Sequence, residues 1–149
     1  MSWTNLENKV VVVTGGAAGI GLAVVKGFVE VGAKVMIADF AEEVGTQAVE
    51  EANQAGSGEA AFAKCDVTSK EDVDALVGAT IDRWGSIDVL VNNAGINIPR
   101  LLVDPAGKEE MTEDVWDKVF AVNVKGQFLC AQAASRQMLV SGKGGVLIN

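Results

Sequence analysis

The sequence has no histidine and no tyrosine, only two cysteines and two prolines, and no run of apolar residues long enough for a membrane helix. Each scarcity excludes something. Without histidine there is no Ser-His-Asp triad, no Cys-His dyad and no histidine metal site, and no metal is expected. Without tyrosine there is no phenol to pass a proton, so any catalysis uses other groups or residues not in this chain. Cys65 and Cys130 sit far apart inside apolar segments, with no CxxC. They are expected to be buried, reduced thiols of a cytoplasmic protein rather than a disulfide framework. Residues 1–9 are polar and mixed, with no charged head before an apolar stretch, so no leader is expected. Apolar runs fall short of the roughly 18 residues of a membrane span, and no membrane partner is expected. Positive charge is also scarce. Twelve basic against twenty acidic residues leave a net charge of −8, which argues against a nucleic-acid partner or an anionic membrane surface.

What is present is a chain of 149 residues, 49% hydrophobic, with 17 glycines, so about 11% glycine against the roughly 7% of average proteins. The length suits one domain with a core of its own. Strand and helix patterns alternate throughout. Residues 9–14 (KVVVVT) form a uniformly apolar run, as in a parallel strand buried on both faces. A helix is predicted over 20–31, with Ile20, Val24, Phe28 and Val31 inward. A strand over 34–38 ending at Asp39, a helix over 41–55 and a strand over 60–65 follow. Ser69 is placed to cap the next helix, with Asp72 three residues on, and Gly85 ends it. A fourth strand is predicted over 87–91, then a loop over 96–110 holding both prolines. Thr112 caps a long helix from 113 to about 138.

That helix carries two apolar stripes, Val115, Val119, Val122 and Leu129 on one side and Phe120, Val124 and Phe128 on the other. Two stripes need two covers, the sheet and a neighbour, so a homodimer or homotetramer is expected. A fifth strand begins at 145. The order predicts a doubly wound parallel sheet of Rossmann-like α/β type, strand order 3-2-1-4-5, with ligands at the switch point between strands one and four.

The segment 14–21 (TGGAAGIG) joins the first strand to its helix there. Gly15, Gly19 and Gly21, with Ala17, Ala18 and Ile20 between them, let backbone N–H groups approach a pyrophosphate at a helix N-terminus. No Lys-Ser/Thr follows, so it is not a P-loop. Asp39 lies eighteen residues after Gly21, where an acid holds the ribose hydroxyls of NAD and repels the extra phosphate of NADP. Phe40, not an arginine, comes next. NAD is therefore the expected cofactor.

These residues resemble the short-chain dehydrogenase/reductases, and the resemblance covers the whole chain. Residues 14–21 match that family's TGxxxGxG loop. Asp66 and Val67 look like its adenine-contacting pair. Residues 92–95 (NNAG) match its signature after strand four, which implies that Asn93, Ala94 and Gly95 border the nicotinamide side. Asn123 falls where the family keeps an Asn supporting the active-site proton relay; taken alone it is a mid-helix amide needing partners. The resemblance implies an alcohol/ketone oxidoreductase with a small-molecule alcohol or carbonyl substrate. The family's Ser and Tyr-x-x-x-Lys would fall beyond Asn149. Residues 1–149 are thus expected to be one dinucleotide-binding domain, truncated within strand five, the amino-terminal part of a longer enzyme. The alternative is a catalytically inactive dinucleotide-binding module. The wording of the loop, INIPRLLVDP, is similar to NAD-dependent sugar-alcohol dehydrogenases of the sorbitol-6-phosphate type. Arg100 and Lys108 would then meet a substrate phosphate, or else be solvated charges of a surface loop, the reading preferred here.

Overall fold

The structure, a computed structural model, describes residues 5–149; residues 1–4, at the start of the polar stretch read above, lie outside the described residues. Five parallel strands form one sheet in the order β3-β2-β1-β4-β5, as expected. They are β1 Val10–Thr14, β2 Lys34–Asp39, β3 Glu59–Lys64, β4 Val89–Val91 and β5 Val146–Ile148. β1 is the centre. It pairs Val12 with Met36 of β2 and with Leu90 of β4, so every residue of β1 is buried. That is why it reads as an unbroken β-branched run. β4 is shorter than the predicted 87–91, beginning two residues later.

The helices are α1 Gly19–Glu30, α2 Glu42–Asn53, α3 Lys70–Trp84, α4 Glu113–Phe120 and α5 Gln127–Ser141. They cover both faces and enclose two cores. One holds Val11, Val13, Val25, Val29, Val35 and Ile37 against α1 and α2. The other holds Val12, Met36, Leu76, Leu90, Leu129 and Met138 against α3 and α5. Among the described residues, no helix is long and apolar enough to cross a membrane.

Two expectations about helices need correction. In α1 the fully buried face is Gly21, Val25 and Val29; of the predicted Ile20, Val24, Phe28 and Val31, Val24 and Phe28 pack half-buried at the edge of that core. Ile20 is 78% exposed at the mouth of the helix. The long helix is not continuous α-helix. A π-helical segment, Ala121–Gly126, separates α4 from α5, and α5 runs three residues past 138 to Ser141, where Gly142 closes it with φ +66°. Only the second half of its predicted inward stripe packs on the core, with Leu129 buried and Val122 against it; Val115 and Val119, on α4, are half-buried and belong to neither core. Phe120, Val124 and Phe128 remain exposed, and Trp116 stacks on Phe120 with ring centroids 4.5 Å apart.

Candidate functional site

The site is built where the loops after β1 and β4 diverge. Thr14, buried at the end of β1, ties them together. Its hydroxyl donates to the Val91 carbonyl (3.4 Å) and accepts from the Asn93 and Ala94 N–H groups (3.1 and 3.0 Å). The Asn93 amide returns two bonds, donating to the carbonyls of Thr14 and Gly15, each at 3.0 Å. Backbones this close leave no room for side chains. A Cβ on Gly15, which has φ +62°, would sit 2.9 Å from Ala94 Cα; one on Gly21 would overlap the Gly15 carbonyl oxygen. The glycine excess is thus partly explained by two chain segments crossing at the switch point.

Helix α1 starts here without a cap. Its Ncap, Ala18, offers no side-chain acceptor, and its first turn holds no acid. By contrast Ser69 accepts from Asp72 N–H at the start of α3 and Thr112 accepts from Val115 N–H at the start of α4. Helix α2 also lacks a side-chain cap, but Glu42 and Glu43 stand in its first turn. The first N–H groups of α1 therefore remain donors for an anion, reinforced by the helix dipole.

Asp39 ends β2 beside them. Its carboxylate accepts from Ala17 N–H and Ala41 N–H, both at 3.2 Å, which fixes its place between the glycine turn and α2. Asp66 accepts from the N–H and hydroxyl of Thr68 at 2.9 and 2.8 Å, while its own N–H donates to Asp72 at 2.9 Å. This turn starts the path into α3 and leaves Val67 buried against Gly126.

Together these elements enclose a cleft of about 600 Å³. Of the residues expected from the sequence, Gly15, Ala18, Ile20, Gly21, Asp39, Phe40, Asp66, Val67, Asn93, Ala94 and Gly95 line it. Three do not. Ala17 is buried beneath and contributes its N–H to Asp39. Gly19 turns the chain into α1 at φ +54°. Asn123 stands behind the wall. Its Oδ1 accepts from Ile96 N–H (2.8 Å) and its Nδ2 donates to the Ile96 carbonyl (2.9 Å). The mid-helix amide has found its partners, and a relay water at Asn123 would meet a side chain already engaged through both polar groups. A π turn at such a residue is a recurrent sign of a functional position.

Sequence reasoning missed Ala38, Cys65, Ile96, Lys118 and Val122 in the lining. Cys65 precedes the Asp66 pair and Ile96 follows Gly95, so adjacency pointed to both. Lys118 lies one helical turn before Val122, on the same face, but only an unbroken reading of the cleft wall would connect them. Burial, with Cys130, Asp72 and Asp66 beside it, pushes the Cys65 thiol up to about 12; burial pushes Cys130 up to about 11. Neither is a thiolate nucleophile near neutral pH.

The loop after β4 folds on itself. Asp104 accepts from the N–H groups of Ala106, Lys108 and Glu109, which hold its carboxyl below the usual range. The Arg100 guanidinium donates to the Pro99 carbonyl at 2.8 Å. Neither Arg100 nor Lys108 lines the cleft. Among the described residues no cluster of acids and cysteines is arranged to hold a metal.

A doubly wound parallel sheet, a glycine turn at its switch point and an acid at the end of β2 define the Rossmann class, whose clefts at this place take dinucleotides. Within that class the chain belongs to the short chain dehydrogenase family, whose model matches residues 9–149. Members of this family typically bind a nicotinamide dinucleotide. The chain is 41% identical to sorbitol-6-phosphate 2-dehydrogenase of Klebsiella pneumoniae, over 99% of this chain and 53% of that protein. It is 41% identical to sorbitol dehydrogenase of Cereibacter sphaeroides, over 97% and 52%. A crystal structure of a short chain dehydrogenase from Mycobacterium smegmatis superposes with a TM-score of 0.87 at 36% identity, covering 95% of this chain and 57% of that one. The chain spans about half the length of the curated relatives it matches.

Proposed function

We propose that this chain is the dinucleotide-holding part of an NAD-dependent oxidoreductase that interconverts an alcohol and a carbonyl. The substrate class we favour is a polyol, sugar or other small secondary alcohol, in keeping with the sorbitol-6-phosphate and sorbitol dehydrogenases among its relatives. The observation that carries the reading is the uncapped start of α1 opening on the same cleft as Asp39.

The residues fit such a cofactor. The free amides at Gly19, Ile20 and Gly21 suit a pyrophosphate; Gly15 and Gly21 let the two loops close up behind it, and the open side of Gly19, where a Cβ would meet nothing within 4 Å, leaves room for it to approach. The Asp39 carboxylate would take ribose hydroxyls and repel a 2′-phosphate, which favours NAD over NADP. Phe40 covers the outer edge, Asp66 and Val67 would border the adenine, and Asn93, Ala94 and Gly95 the nicotinamide ribose. When bound, the nicotinamide ring supplies hydride exchange with the substrate carbon. Asn123 acts as a positioning residue, since it holds Ile96 and with it one wall of the cleft. We place the protein in the cytoplasm, where buried thiols stay reduced. We also assign it a homodimer or homotetramer formed through the exposed stripe Trp116, Phe120, Val124 and Phe128.

A second reading, dinucleotide binding without turnover, draws on the absence of tyrosine and histidine from the sequence. Calorimetric titration with NAD and NADP tests both readings at their common step. Binding of neither would refute them. Binding of NAD with no change in NADH absorbance, whichever polyol is added, would favour the second.

A further inference from the structure

We propose that Lys118 is the electrostatic anchor for the anionic dinucleotide in the cleft, an inference that rests on the dinucleotide reading above. The charge balance poses the problem. The chain carries a net −8, and two carboxylates, Asp39 and Asp66, line the very cleft in which phosphates must sit. The glycine turn over 14–21 contributes amides but no cationic side chain. Among the described residues lining the cleft, Lys118 is the sole basic one.

Its placement is fixed from both sides. Helix α4 is capped by Thr112, and Val122, one turn beyond Lys118, lines the same wall, so this face of the helix is turned to the cleft. Lys118 is also uncommitted. Lys9, Lys26, Lys64 and Lys70 each pair with a carboxylate, whereas Lys118 has no ion-pair partner among the described residues. Asp114, one turn earlier on α4, is not engaged with it. A cation without a carboxylate partner, on a cleft wall, raises the local concentration of an anion and holds it by a long-range attraction that salt screens.

The side chain is exposed, so its replacement leaves the core untouched. NADH binding should be followed by its fluorescence, at low and at high ionic strength, for the unaltered protein and for Lys118→Gln, Lys118→Glu and Lys118→Arg. At low salt, Lys118→Gln should bind roughly threefold to tenfold more weakly, as expected for loss of one nearby, partly screened charge. Lys118→Glu should lose more, and Lys118→Arg should bind like the unaltered protein. At high salt the four proteins should converge. Equal binding by Lys118→Gln and the unaltered protein at low salt would overturn the proposal. A loss independent of the sign of the new residue, or one that persists at high salt, would also overturn it. If the unaltered protein binds no NADH at all, the functional reading itself fails, a result distinct from either.

Discussion

Gly21 and Gly27 lie on the same helix, and alanine at each should have opposite effects. At Gly21 a Cβ would overlap the Gly15 carbonyl oxygen and stand 2.6 Å from the Asn93 side-chain amide. These are backbone and hydrogen-bonded atoms, so they cannot swing aside as a flexible side chain would. Overpacking of this kind costs about 1–3 kcal/mol. Displacing Asn93 also weakens its bonds to Thr14 and Gly15, each worth about 0.5–1.5 kcal/mol. The Gly21→Ala protein should therefore lose about 2–4 kcal/mol. For a chain of this size that lowers Tm by roughly 5–12 °C. A Cβ at Gly27 meets nothing within 4 Å, and its backbone is helical. Gly27→Ala should gain about 0.5–1 kcal/mol, because glycine in a helix interior is intrinsically unfavourable. Urea and thermal denaturation followed by circular dichroism measure both. Calorimetry with NAD on the folded Gly21→Ala protein should also show weakened binding, since the displaced atoms belong to the cradle. Two substitutions that shift stability in the same direction would refute the argument. So would Gly21→Ala leaving both Tm and NAD affinity unchanged.

Other outcomes follow from the same geometry. Asp39→Asn, which removes the charge but keeps an acceptor for one of the two amides, should shift the NAD:NADP affinity ratio by about tenfold toward NADP; parallel titrations that leave the ratio fixed would contradict the role of Asp39. Asn123→Ala abolishes two hydrogen bonds to Ile96 and should cost about 1–3 kcal/mol in urea denaturation, with no loss of stability counting against the clamp. The two thiols stay protonated in the folded chain up to about 11 and 12, whereas unfolded cysteines ionise from their ordinary 9.0. Stability should be independent of these groups below pH 9 and fall as the pH rises beyond it, a slope that Cys65→Ala should reduce in denaturation curves taken across that range. Phe120→Asp with Phe128→Asp should give monomers by sedimentation at micromolar concentration while lowering the Tm of the folded chain by only a few degrees, because both rings are exposed and the main intrachain loss is the stacking of Phe120 on Trp116, worth about 0.5–1.5 kcal/mol; persistent oligomers would redirect the search to another surface.

The strand order was legible because parallel strands buried on both faces announce themselves as apolar runs, and β1 is the plainest of them. The glycine turn and Asp39 could be placed at the cleft from local pattern, whereas Asp66, Val67 and residues 93–95, which also line it, were placed there by the family resemblance alone. A close backbone approach needs glycine, and Asp39 stands out as an acid that ends an apolar strand. What escaped was non-local. Helix α1 is apolar nearly all round, so periodicity alone could not choose its inner face. The choice falls to Gly21, whose missing side chain lets the helix press against Gly15 and Asn93. The π segment is equally invisible to a period of 3.6, since it accompanies a tertiary contact between Asn123 and Ile96. Lys118 carries no local signal in the sequence, and only the fold brings it to the cleft that Asp39 and Asp66 also line.

The π segment also limits how this chain can change over generations. One residue around a helix is about 100° of rotation. Deleting a single position within Ala121–Gly126 to restore regular α-helix would turn everything on one side of the cut by that angle relative to the other. With α5 held in the core by Leu129, Cys130 and Met138, α4 would swing, taking Lys118 away from the cleft. With α4 held, the core contacts of α5 would turn to solvent. Point substitutions can be tried there one at a time, but single-residue insertions and deletions are barred, so the length of this segment should be among the least variable features of related sequences.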